Sequence, residues 1–160
     1  NYNTYWALYN FPNNGCLTNC LHLFRNVSLT SVRIIIAEII CGLEYLHKLG
    51  LNFPNLSPET VYISHKSHIV LTDFGFAIPK KYKVIYRTGP LCYAPPEFLS
   101  FGDDDIISDS WRLGVLIYHL LKGKPPFIGN RDSVCNQICQ EPITLESLFG
   151  DNNNNNNNNN

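Results

Sequence analysis

The chain has 160 residues, 44% of them hydrophobic and 16% charged, which suits one soluble domain able to bury a core. Twelve basic and 13 acidic residues leave a formal net charge of −1, so no long-range field draws in nucleic acid or anionic lipid. No apolar run approaches the ~20 residues needed to span a bilayer, and neither nucleic acid nor membrane is an expected partner.

In chain order, Tyr5-Trp6-Ala7-Leu8-Tyr9 is aromatic-rich and strand-like, and Pro12-Asn13-Asn14-Gly15 stops it with turn chemistry, so a short strand leading into a loop is expected. From Ser31 to Leu49 the residues Val32, Ile35, Ile36, Ile39, Ile40, Leu43 and Leu46 recur at helical spacing, with Lys48 in the last turn and Gly50 as the stop. Two β-type runs follow, Val61-Tyr62-Ile63 and Ile69-Val70-Leu71-Thr72, joined by polar residues that suit a hairpin. Residues 75 to 107 read as mostly irregular, punctuated by Gly75, Pro79, Gly89, Pro90, Pro95, Pro96 and Gly102; a long loop of this kind is usually functional. A second, buried helix is expected from about Asp109 to Leu121, and a weaker one around Asp132 to Cys139.

The chain ends in nine consecutive asparagines, residues 152 to 160, with neither charge nor apolar surface to offset ordering entropy, so disorder is expected there. Cys16, Cys20, Cys41, Cys92, Cys135 and Cys139 lack histidines at finger-like spacing and follow no secretory signal. Reduced thiols in a cytoplasmic protein are the expectation. On the same ground Asn26-Val27-Ser28 is read as a chance match to the glycosylation pattern.

Four motifs stand in a telling order. Tyr45-Leu46-His47-Lys48-Leu49-Gly50 closes the first long helix, Leu71-Thr72-Asp73-Phe74-Gly75 follows the hairpin, Tyr93-Ala94-Pro95-Pro96-Glu97 closes the irregular stretch, and Asp109-Ser110-Trp111-Arg112-Leu113-Gly114 opens the second long helix. Together, over residues 5 to about 149, they resemble the protein kinase superfamily, and Gly123-Lys124-Pro125-Pro126-Phe127 is most similar to its AGC serine/threonine group. The resemblance implies a mainly α (α+β) fold: a protein-kinase-like C-terminal lobe with a short β-hairpin, the N-terminal lobe largely absent. Residues 1–15 would then be the last small-lobe strand and hinge, 16–149 the kinase-like lobe, and 150–160 a disordered poly-Asn tail.

Phosphoryl transfer relies on an Asp that takes the substrate proton, a Lys that steadies the moving group, and Asn and Asp that carry metal ions. The catalytic-loop motif of the family aligns without gaps on Phe53-Pro54-Asn55-Leu56-Ser57-Pro58-Glu59-Thr60. Asn55 thus stands in the catalytic Asp slot, Ser57 in the Lys slot and Thr60 in that of the metal-binding Asn. A neutral amide takes no proton at ordinary pH, which removes general-base help worth roughly 10²–10⁴-fold. Asp73 is the one metal ligand retained. Pro54 replaces the Arg that would read an activating phosphate, while Tyr86 and Pro90 stand where the family carries phosphorylatable or segment-holding threonines.

The structural slots, by contrast, are kept in Phe53, Phe74, Gly75, Glu97 and Asp109. The resemblance gives Asp109 the task of holding the catalytic-loop backbone, and gives Glu97 a later Arg as partner; with no such Arg before the asparagines, Glu97 should be solvated or paired differently. Tyr9 and Phe11 fall in hinge slots, and Tyr62 falls where a smaller aliphatic residue usually lies beneath adenine. The expectation is a non-catalytic pseudokinase fragment, a scaffold or allosteric module with a protein partner, and with a missing small lobe or another kinase domain as candidate partners. No cofactor is expected. The alternative is a divergent serine/threonine kinase using ATP and magnesium, although Glu59 is the only carboxylate between Asn52 and Thr60.

Overall fold

A computed structural model describes residues 12, 14–23, 27–79 and 89–140. The expected strand at Tyr5–Tyr9, the hinge positions Tyr9 and Phe11, Tyr86 and the asparagine tract lie outside them.

Helix α1 (Leu17–Leu23) comes first, where the sequence reading expected a loop. Its seven residues include Thr, Asn and Cys, poor helix formers, and only the i, i+4 pair Leu17 and Leu21 marks an apolar side. Leu17 is fully buried, so tertiary packing and not propensity holds this short helix.

Helix α2 (Leu29–Lys48) starts at the N-cap Ser28, whose Oγ accepts from the Ser31 amide at 3.1 Å. It buries Val32, Ile39, Leu43 and Leu46 along one stripe and ends where Gly50, at φ +73°, turns the chain away. Strand β1 (Leu51–Asn52) follows, then β2 (Val61–Ile63) and β3 (Ile69–Leu71), which form the expected antiparallel hairpin with Tyr62 opposite Val70. Strand β4 (Ile78–Pro79) pairs antiparallel with β1, a ladder too short to leave any alternation in the sequence.

Among the described residues, the stretch from about 75 to 107 holds more regular structure than its prolines and glycines suggested. A 3₁₀ turn at Phe74–Phe76, another at Leu91–Tyr93, and helix α3 (Pro96–Phe101) lie within it. Pro96 starts α3 instead of breaking it, because the first helical position has no intrahelical partner for its amide.

Helix α4 (Ile106–Lys122) begins before Asp109. Asp105 is its N-cap, with Oδ1 accepting from the Ile107 and Ser108 amides while Ser108 Oγ accepts from the Asp105 amide, a reciprocal capping box. The apolar stripe starts only later, which is why periodicity alone placed the start too far along. Helix α5 (Arg131–Gln140) closes the described chain.

The core lies where α2 crosses α4, with β1 and β3 against α2, the 3₁₀ turn at Leu91–Tyr93 against α4 and α5, and α3 against α5. Ile39, Phe53, Leu56, Leu116 and Leu120 sit at its centre, essentially solvent-free. Trp111 stacks on Phe127 with ring centroids 6.0 Å apart, tying α4 to the segment before α5. Among the described residues no helix is long and apolar enough to cross a membrane.

Candidate functional site

The loop from β1 to β2 carries Asn55, Ser57 and Thr60, and residues 52 to 58 are all buried. A buried loop must satisfy its own polar backbone, and three devices do so. The Phe53 amide donates to Asp109 Oδ2 at 2.8 Å, so α4 holds the loop from below. Thr60 Oγ1 donates to the Asn55 carbonyl at 2.7 Å and accepts from the Ser57 amide at 3.2 Å, closing the loop on itself. The Thr72 amide and hydroxyl both donate to the Thr60 carbonyl, at 2.9 and 3.0 Å, joining the loop to the end of β3.

Asp109 belongs to a buried charged cluster. Its Oδ2 also accepts from His47 Nε2 at 2.8 Å, and its Oδ1 accepts from Arg112 at 3.2 Å. Arg112 is fully buried and makes a second, short ion pair with Asp104. Asp104 in turn accepts from Asn52 Nδ2 through both its backbone and side-chain oxygens, each at 3.4 Å. Burial pushes the carboxyls of Asp104 and Asp109 above the usual range, opposed by Arg112 at both and by His47 and the Phe53 amide at Asp109. The cluster locks the relative placement of α2, the loop and α4. The motif reading gave a role to Asp109 alone; the Asp109-x-x-Arg112 helical spacing was the available signal for Arg112, His47 stood in the first motif without an assigned partner, and nothing local pointed to Asp104.

Above the loop, Asp73 is exposed and takes a left-handed conformation, φ 61° and ψ 56°. Its Oδ2 accepts from Asn55 Nδ2 at 2.7 Å. The structure therefore brings Asn55, Thr60 and Asp73 together. Ser57 lies in the same loop, but its buried hydroxyl has no hydrogen-bond partner among the described residues. Phe53 and Phe74 form a tilted ring pair with centroids 5.5 Å apart. Gly75 has no special conformation, and a Cβ there would meet only Asp73 Oδ1 at 3.6 Å, an ordinary contact. Tyr62 is half-buried in β2, beside the bridge between Cys16 and Tyr62 that joins α1 to the hairpin.

A magnesium–nucleotide site of the family's kind needs converging oxygen donors. Here one Asp73 oxygen is capped by an amide N–H, and the Thr60 hydroxyl hydrogen is turned onto a carbonyl of its own loop. Among the described residues no group of three or more His, Cys, Asp and Glu side chains is placed to hold a metal ion. These donors fit such a cation poorly.

Glu97, at the start of α3, has no Arg partner among its described bonds. Its Oε1 accepts instead from Ser108 Oγ at 2.8 Å, so the closing motif is tied to the first turn of α4.

The loop held from the central helix, the hairpin, Asp-Phe-Gly and the Pro-Pro-Glu helix follow one another as in a kinase large lobe, and the protein kinase domain model matches residues 1–160. The chain belongs to the protein kinase family. It is 35% identical over 127 residues to a "cAMP-dependent protein kinase, catalytic subunit-like" of Caenorhabditis briggsae, covering 79% of this chain and 33% of that protein. It is 32% identical over 123 residues to the "Serine/threonine-protein kinase AtPK1/AtPK6" of Arabidopsis thaliana, covering 74% and 26%. With "Developmentally-regulated protein kinase 1" of Dictyostelium discoideum the figures are 39% over 136 residues, 80% and 19%. These kinase relatives agree with the AGC-like wording of the Pro-Pro-Phe segment. The chain spans a third or less of the length of each of the three.

Proposed function

We propose that this kinase-family chain is a non-catalytic module, a pseudokinase lobe that acts as a scaffold or allosteric partner. The observation that carries the reading is Asn55: a neutral amide in the proton-acceptor slot, its N–H directed at the Asp73 carboxylate. An amide nitrogen of this kind is a donor only, so it takes no proton from a substrate hydroxyl. Ser57 supplies no positive charge in the Lys slot, and Thr60 is engaged within its own loop. No cofactor is called for in this role.

The partner is a protein, with a small lobe or another kinase domain as the first candidates. An apolar surface favours this reading: Tyr45, Phe74 and Phe76 are 65%, 50% and 45% exposed, and Tyr45 and Phe74 border a groove of about 310 Å³ between α2 and β3.

The relatives named as protein kinases, one of them a serine/threonine kinase, favour a second reading, a divergent kinase that moves the γ-phosphate of ATP with magnesium. A radiolabelled-ATP assay of the purified chain, alone and with a kinase small lobe supplied in trans, separates the two. No transfer is expected, and Asn55→Asp alone does not restore it. Turnover abolished by Asp73→Ala would establish the second reading.

A further inference from the structure

We propose that Asn55 is a metal-free latch that holds Asp73, and with it the start of the activation segment, against the catalytic loop. Asn55 is 8% exposed, and its backbone is pinned by the Thr60 hydroxyl on its carbonyl. Its amide orientation follows from chemistry: the facing group is a carboxylate, which only accepts, so Nδ2 must point at it. At 2.7 Å this is the length of a charge-assisted bond.

The latch has a second contact. A Cβ at Gly89 would lie 2.9 Å from Asn55 Oδ1 and 3.3 Å from the Pro54 carbonyl, so the backbone at Gly89 passes directly over the same amide. One side chain therefore sits between Asp73, before the segment at residues 80–88, and Gly89, after it.

The charge logic explains why an amide serves here. With a carboxylate at position 55, two acids would face each other across the distance now spanned by one hydrogen bond, and such a pair needs a cation or a shared proton between them. The amide supplies the positive end of a dipole instead, and the contact closes without any ion. Asp73 holds its carboxylate toward Asn55 from the left-handed conformation, a region that Asp visits more readily than most residues with a side chain. The latch goes beyond the scaffold reading, since it concerns how the segment is held whether or not any transfer occurs.

Hydrogen exchange on the full 160-residue chain tests it through the Ala77 amide, which bonds to the Phe74 carbonyl in the turn that Asp73 opens. In wild type, protection at Ala77 and the thermal midpoint are expected to be the same in EDTA and in millimolar magnesium chloride. Asn55→Ala should exchange about tenfold faster at Ala77, the effect of losing a bond to a charged group. Asn55→Asp should lose protection in EDTA and regain it on adding magnesium. Wild-type protection in Asn55→Ala overturns the latch, as does a magnesium-dependent shift in wild type that is lost in Asp73→Asn. Should Asn55→Ala fail to fold, Asn55→Asp decides alone: protection that is indifferent to magnesium overturns the proposal.

Discussion

The Tyr93 hydroxyl and His119 Nδ1 share a hydrogen bond of 2.7 Å, joining the turn before α3 to α4. Burial keeps the tyrosine protonated, well above its ordinary value. Burial also holds His119 below the ordinary histidine range. The unfolded chain therefore takes up a proton that the fold resists. This contribution is complete above the ordinary value near ~6.5 and declines as pH falls through the lowered folded value. The urea midpoint should drop as pH falls from about 6.5 toward 5, and His119→Gln should flatten the slope in that window. An equally steep slope in the variant would assign the effect to another group.

The Glu97–Ser108 bond joins α3 to α4 while Ser108 also closes the capping box. Ser108→Ala should cost about 1–2 kcal/mol, the scale of a lost cap with one side-chain bond. Glu97→Gln, which can still accept, should cost less. A double-mutant cycle with Glu97→Ala and Ser108→Ala should return a coupling of about 0.5–1.5 kcal/mol; zero coupling would mean the contact contributes nothing.

Removing Asp109 leaves three donors without their acceptor: the Phe53 amide, His47 and one side of Arg112. Breaking a buried ionic cluster in this way typically costs about 3–5 kcal/mol. Asp109→Ala is expected near that range in chemical denaturation. Asp109→Asn should fall below it, because an amide oxygen can still accept from Phe53. Equal losses would show that charge, and not the loop anchor, dominates.

Two glycines offer an internal control for the tightness over Asn55. Gly89 and Gly102 have φ of +74° and +72°, so alanine is conformationally strained at both, by about 1 kcal/mol. A Cβ at Gly102 meets nothing within 4 Å, whereas at Gly89 it meets Asn55 Oδ1 at 2.9 Å. Gly89→Ala should therefore destabilise more than Gly102→Ala in a thermal melt; equal shifts would mean that the backbone over Asn55 gives way freely.

What could be read from the sequence divides along a physical line. Helix α2 was legible because Val32, Ile39, Leu43 and Leu46 repeat on one face over 20 residues, and the hairpin because β-branched runs flank polar turn residues. Helices α1 and α3 were not, being short enough that packing decides them. The start of α4 was missed because its cap, Asp105 with Ser108, precedes its apolar stripe. At the site, motif order aligned Asn55, Ser57, Thr60, Asp73 and Asp109 in one dimension. It said nothing of who touches whom. The Asn55–Asp73 bond spans 18 positions and the Asn52–Asp104 contact 52, so these partners emerge only once the chain is folded.

The burial of residues 52 to 58 has a further consequence. The segment is part of the interior, held by α4, by Thr60 and by Thr72. The amides of Leu56 and Thr60, bonded to the carbonyls of Phe53 and Ser57, should then open only with the molecule as a whole. In this chain the loop behaves as a keystone: the bonds that hold its shape come from Asp109, Thr60 and Thr72 and depend on no reaction.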